Sequence, residues 1–188
     1  MKLSFSTNYW HNYTFDQFID IAAEYHFSGI EIHDVRTILD PAEPGKSTAL
    51  YRKLLENRLT ISCIDLTSDP AENMDAALEE LTVVLDAAKR LRAPYIRVKT
   101  SCSDDSAGIA MRQFLSRALP QAECANAVLL VETVGFYSDT ARLRELFEEF
   151  ISDSLAALWD LHYPFRVHGE TPEATIKNLG AYVRHVHI

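Results

Sequence analysis

Three residues in the second half of the sequence stand where they could act together. Glu132 closes the apolar run Ala127–Val131, Asp160 closes Ala156–Trp159, and His187 lies within Val183-Arg-His-Val-His-Ile188. A charge at the end of a buried hydrophobic run makes sense where something positive meets it. Two carboxylates and an imidazole are ligands suited to Mn2+, Mg2+, Co2+ or Zn2+. No cysteine joins the set, which argues against a structural zinc knot. Each residue also has a plainer reading when taken singly. Glu132 can be a solvated strand end or an arginine partner, Asp160 a helix cap or turn former, and His187 a satisfied rim histidine. Recurrence at the same relative place in successive runs is what sets the metal reading beside those.

Other polar residues fall at the same place in the earlier runs. They are Ser6, Thr7 and Asn8, then Glu31, His33 and Asp34, then Asp65, then Arg97 and Lys99, with His162 and His185 later. Trp10 and Trp159 read either as faces for a sugar or as packing residues.

The elements that must carry these residues alternate. Short apolar runs at Leu3–Ser6, Gly29–His33, Leu59–Asp65, Tyr95–Lys99, Ala127–Glu132, Ala156–Asp160 and Tyr182–Ile188 read as buried parallel strands. Amphipathic segments lie between them. Thr14 and Gln17 have capping-box spacing, and Asn73–Leu91 carries apolar residues at helical intervals. Ser138 and Asp139 can cap Thr140–Ile151, and Thr171-Pro172 to Gly180 has a good start and stop. Pro120 is expected to end or kink its helix. The loop Asp40–Lys46 reads as a surface connection.

Alternating strands and helices argue for an α/β fold with a parallel sheet. The repeat is about 30 residues, and eight units of about 240 residues match a TIM (β/α)8 barrel. The chain holds seven such strands, so strand eight is missing and the barrel is incomplete, a single domain over 1–188. A doubly wound dinucleotide fold would carry GxGxxG after the first strand, where this chain reads STNYWHN.

Composition excludes several classes. With 27 acidic and 18 basic residues the net charge is −9, which disfavours a nucleic-acid partner. No apolar stretch has membrane-spanning length and no signal-type segment opens the chain. The three cysteines, Cys63, Cys102 and Cys124, read as packing residues in a reducing cytoplasm.

Several stretches match a known pattern in order and spacing. Val131-Glu-Thr-Val-Gly-Phe-Tyr-Ser-Asp139 resembles the strand-five signature of the xylose-isomerase-like barrels. Leu158-Trp-Asp-Leu-His-Tyr-Pro164 with His168-Gly-Glu-Thr-Pro-Glu173, and the terminal Val183–Ile188, are similar to the following segments of the sugar isomerase/epimerase members. Leu3–Thr7 and Phe27–Ile32 fit their first two strands.

The resemblance implies that Glu132, Asp160 and His187 hold a divalent metal ion, the usual fourth ligand being a Glu on strand eight. It also implies proton abstraction next to a carbonyl through a metal-stabilised ene-diolate, with Glu132 as acid and base. His33, Arg97, Lys99, His162 and Arg166 are then candidates to contact the hydroxyls or phosphate of a small sugar or sugar phosphate. Arg97 and Lys99 read equally well as ion-pair partners of strand-end carboxylates. The sequence departs from the family at Tyr163, where a substrate-contacting His would stand and for which His162 is the neighbour, and at Thr133 and Val134. The expectation is an enzyme in full-length form, the chain being an excerpt of low activity alone, with homo-oligomerisation left open. The rival readings are a non-catalytic or regulatory barrel domain, a polyol dehydratase, and an apurinic-endonuclease-like phosphodiesterase.

Overall fold

The structure, a computed structural model, describes residues 2–10, 12–39 and 44–188. Among the described residues seven strands form one parallel sheet in sequential order: β1 (Ser4–Ser6), β2 (Gly29–Ile32), β3 (Thr60–Asp65), β4 (Tyr95–Val98), β5 (Val128–Glu132), β6 (Leu155–Asp160) and β7 (Val183–His187). The crossovers contain α1 (Phe15–Glu24), α2 (Pro44–Glu56), α3 (Met74–Leu91), α4 (Asp105–Ala125), α5 (Thr140–Glu149), α6 (Tyr163–His168) and α7 (Pro172–Leu179). Sequential parallel order with intervening helices is the layout of a TIM barrel. β1 and β7 do not pair, so the sheet stays open between them. The expected loop Asp40–Lys46 falls partly outside the described residues.

Side chains alternate across each strand, and the alternation divides the core into two layers. Ile30 and Ile32, Ile96 and Val98, and Leu129 and Val131 point outward and pack with the helices in the main core. Cys63, Leu130, Ala156 and Leu158 form a smaller cluster on the inner face. The residues that share this inner face at the C-terminal strand ends are charged: Glu31, Asp65, Arg97, Glu132 and Asp160. The polar ends therefore follow from the same two-residue period that builds the core.

Local signals position the helices as expected. Thr14 and Gln17 form a capping box on α1, Asn73 caps α3 and Thr171 caps α7. Asp139 caps α5, whereas Ser138 belongs to a preceding 3-10 turn, Gly135–Ser138. Pro120 does not end its helix, since α4 runs on to Ala125. The residue four before it, Ser116, is exposed like Pro120 itself, so water can serve the carbonyl that the proline leaves without its amide partner.

Two irregularities aim side chains at the interior. β2 and β3 shift register so that Glu31 pairs with Cys63, leaving Ser62 over. β6 and β7 shift likewise, so that Leu158 pairs with His185 and Asp160 with His187. Bulges of this kind re-aim neighbouring side chains.

Candidate metal centre

Inside the curved sheet lies an open cavity of about 1480 Å³, lined among others by Glu31, Arg97, Lys99, Glu132, Asp160 and His187. One oxygen of Glu132, one of Asp160 and a nitrogen of His187 lie within 4.8 Å of one another. β5, β6 and β7 deliver them. The hydroxyl of Thr133 knits two of those strand ends together, accepting from the Asp160 amide at 2.9 Å and donating to the Asp160 carbonyl at 3.2 Å. Asp160 Oδ1 accepts from the amides of His162 and Tyr163 at 2.8 and 3.1 Å, so this oxygen starts α6. The other oxygen is left for the cavity.

Glu132 is 1% exposed and both its oxygens are engaged. Arg97 Nε donates to Oε2 at 2.9 Å, and His187 Nδ1 lies 3.0 Å from Oε1. Arg97 also reaches Asp65 Oδ2 from Nη1 at 2.7 Å, and the same oxygen faces His33 Nδ1 at 2.9 Å. On the far side of its ring, His187 Nε2 lies 3.0 Å from Glu31 Oε2, which His185 Nε2 also approaches at 3.1 Å. Buried Asp65, Arg97, Glu132 and Glu31, with half-buried His187, thus form one continuous chain of charge-assisted contacts.

Burial opposes every charge in this chain, and the neighbours outweigh it at each residue except Asp65. For Glu31, hydrogen bonds to His185 and His187 outweigh burial and hold the carboxyl well below its usual range. For Glu132, His187 and Arg97 do the same. For Asp65 burial wins over His33 and Arg97, and its pKa rises. The carboxylates of Asp65 and Glu132 outweigh burial of Arg97 and keep it charged. Burial of His187 is overcome by Glu132 and Glu31, which push its pKa up to about 9. The group is therefore strongly polarised, and Glu31 Oε1 and Asp65 Oδ1 remain buried without a partner among the described residues.

The residues expected from the sequence separate in space. Glu132, Asp160 and His187 come together, and Arg97 and Lys99 line the same cavity. Arg97 is fully occupied by two carboxylates, whereas Lys99 has no polar partner among the described residues. His33 sits at the edge, held by Asp65. His162, which precedes α6, and Arg166 on it are exposed, 3.4 Å apart, and are not among the lining residues, where Tyr163 stands instead. The short helix α6 turns position 163 toward the cavity. Tyr9 and Tyr95 also line it, and neither Trp10 nor Trp159 does. Cys63 is buried and half-buried Cys102 packs against the main core, as expected, but Cys124 is exposed. The sequence places Glu31, Asp65 and His185 at strand ends without assigning them a specific role. The signal for Glu31 is its place between Ile30 and Ile32, which puts a carboxylate on the inner face of a hydrophobic strand.

Comparison with known proteins decides the family. The model of the xylose isomerase-like TIM barrel matches residues 19–188. The chain belongs to this family. No curated protein matches it. Among solved structures, the probable 3-DHS dehydratase AsbF of petrobactin synthesis from Bacillus anthracis superposes with a TM-score of 0.81 at 18% identity, over 100% of this chain and 73% of that one. The 3-keto-D-glucoside 4-epimerase from E. coli gives 0.80 at 14% identity, over 100% and 78%. IOLI protein with a binding zinc atom gives 0.74 at 12% identity, over 93% and 67%. An AP endonuclease, family 2, from Brucella melitensis gives 0.70 at 15% identity, over 99% and 78%. At these identities the likeness speaks for the fold. The structures that share it include epimerases, dehydratases and endonucleases. No described helix is long and apolar enough to cross a membrane.

Proposed function

We propose that this protein is a divalent-metal-dependent isomerase or epimerase acting on a small sugar or sugar phosphate by proton abstraction next to a carbonyl. The observation that carries the reading is the convergence of Glu132, Asp160 and His187 at consecutive strand ends. Two carboxylate oxygens and an imidazole nitrogen within 4.8 Å of one another suit Mn2+, Mg2+, Co2+ or Zn2+. These residues fit a cation. When bound, it would supply Lewis-acid stabilisation of charge developing on a substrate oxygen.

The chain's own residues do the rest. His187 at Oε1 and Arg97 at Oε2 keep Glu132 ionised and fix its orientation, so Glu132 is the group that would accept a proton from carbon. A base must be deprotonated before it can act, and this pairing secures that state at the cost of some basicity. Lys99, exposed to the same cavity and unpaired among the described residues, is placed to meet a hydroxyl or phosphate. Tyr9, Tyr95 and Tyr163 offer aromatic faces to sugar C–H groups. That a 3-keto-D-glucoside 4-epimerase shares this fold supports the epimerase reading.

The test is solvent exchange. The Mn2+-loaded chain is incubated in D2O with ketopentoses, ketohexoses and their phosphates. Deuterium is expected at the carbon next to the carbonyl of at least one, and is lost with Glu132→Gln. Absence of wash-in from every ketose would contradict the reading.

A further inference from the structure

The β2–β3 wall of the cavity carries a second cluster that Glu132, Asp160 and His187 leave unused. Glu31, Cys63 and Asp65 place two carboxylate oxygens and a sulfur within 4.8 Å of one another, and all three residues are buried. The register shift at Ser62 makes Glu31 the partner of Cys63, and Asp65, two residues on, shares the face.

Each carboxylate has one oxygen engaged and one idle. Asp65 Oδ2 meets His33 and Arg97, and Glu31 Oε2 meets His185 and His187. Asp65 Oδ1 and Glu31 Oε1 are buried without a partner among the described residues, and Asp65 and Glu31 are each 2% exposed. Such oxygens are costly unless a donor or cation meets them. Arg97 cannot, because its N–H groups already point at Asp65 Oδ2 and Glu132 Oε2. Water would answer the oxygens but gains little from sulfur. A divalent ion of borderline softness gains from all three, because thiolate and carboxylate together are a zinc-type donor set.

We propose that Glu31, Cys63 and Asp65 form a second divalent-cation site, separate from Glu132, Asp160 and His187, that takes a thiophilic ion of the zinc class. Binding forms the metal–sulfur bond and releases the thiol proton to solvent. The ion reaches the site from the open cavity, which Glu31 lines. Glu31 keeps its contact with His187, so this site orients a ligand of the first one from outside its coordination shell.

The experiment uses the full chain with Cys102→Ser and Cys124→Ser, which leaves Cys63 as its one thiol. Titration with Co2+ alone should give a near-ultraviolet thiolate-to-cobalt charge-transfer band, with two cobalt ions per chain by elemental analysis. Asp160→Ala should keep the band and lower cobalt to one. Cys63→Ala should abolish the band and lower cobalt to one. A fold disturbed by substitution is bypassed by zinc X-ray absorption on the chain that retains Cys63, where a Zn–S distance of about 2.3 Å is expected. A sulfur-free zinc shell overturns the proposal. So does a missing band with Cys63 present, or loss of the band in a folded Asp160→Ala chain, which would mean one site rather than two.

Discussion

Nε and Nη2 of Arg97 lie 2.9 and 2.8 Å from the same oxygen of Glu132. Both side chains are nearly removed from water, and the guanidinium reaches Asp65 with its remaining arm at 2.7 Å. A planar fork is suited to this, since it orients two carboxylates at once. The sequence alone leaves Arg97 open between substrate contact and ion pairing. The structure gives it two ion pairs.

Removing that fork should be severe. Arg97→Ala strands two buried carboxylates, and breaking a buried pair from one side costs about 3–5 kcal/mol. Arg97→Lys keeps a charge but loses the bidentate geometry, and should recover only part of the loss. Urea unfolding of the three proteins measures this. A loss below about 1 kcal/mol for Arg97→Ala would mean that water replaces the guanidinium.

A second carboxylate works on the backbone. Glu80 on α3 accepts from the Thr67 amide at 3.0 Å, the Thr67 hydroxyl at 2.7 Å and the Ser68 amide at 2.8 Å, fixing the loop that follows Asp65. Burial tends to raise its pKa, but the Ser68 and Thr67 donors prevail and lower it. Because the folded-state value lies below the unfolded one, the stabilisation is fully present above the ordinary Glu value of about 4.3 and fades as pH falls through the folded value. Glu80→Gln should therefore cost about 1–2 kcal/mol at pH 7, and the gap to wild type should narrow in acid. Unfolding curves at several pH values check this, and a gap that widens below pH 4 would contradict it.

Gly135 sits directly after the strand that delivers Glu132. Its φ is +54°, and a Cβ there would lie 2.1 Å from the Thr100 carbonyl oxygen and 2.7 Å from that of Cys102. Both the left-handed backbone and the space demand glycine. Gly135→Ala should destabilise by more than the roughly 1 kcal/mol by which a tolerated Gly-to-Ala change stabilises. Thermal unfolding measures it, and an unchanged melting temperature would refute the steric argument.

Much of this arrangement is legible in the sequence, for a local reason. The apolar runs that end in Glu132, Asp160 and His187 mark both the strands and the end of the sheet where charge collects. Thr14, Asn73 and Thr171 mark helix starts because capping is decided within four residues. What escapes is decided by distant partners. Glu31 meets His187 across 156 positions, and Arg97 finds Asp65 only when β3 and β4 pair. The register shifts at Ser62 and Arg184 leave no composition signal, yet they set which side chains share a face. Tyr163 rather than His162 lines the cavity because Asp160 starts a short helix there, and nothing in the local sequence required it.

The most direct measurement is calorimetric titration of Mn2+ into the metal-free chain, beside Asp160→Asn and His187→Ala. Mn2+ prefers oxygen and nitrogen to sulfur, so it reports on Glu132, Asp160 and His187 rather than on Cys63. The account predicts one saturable Mn2+ per wild-type chain and its loss in both folded variants. No saturable binding by wild type, or binding unchanged by either substitution, would contradict it.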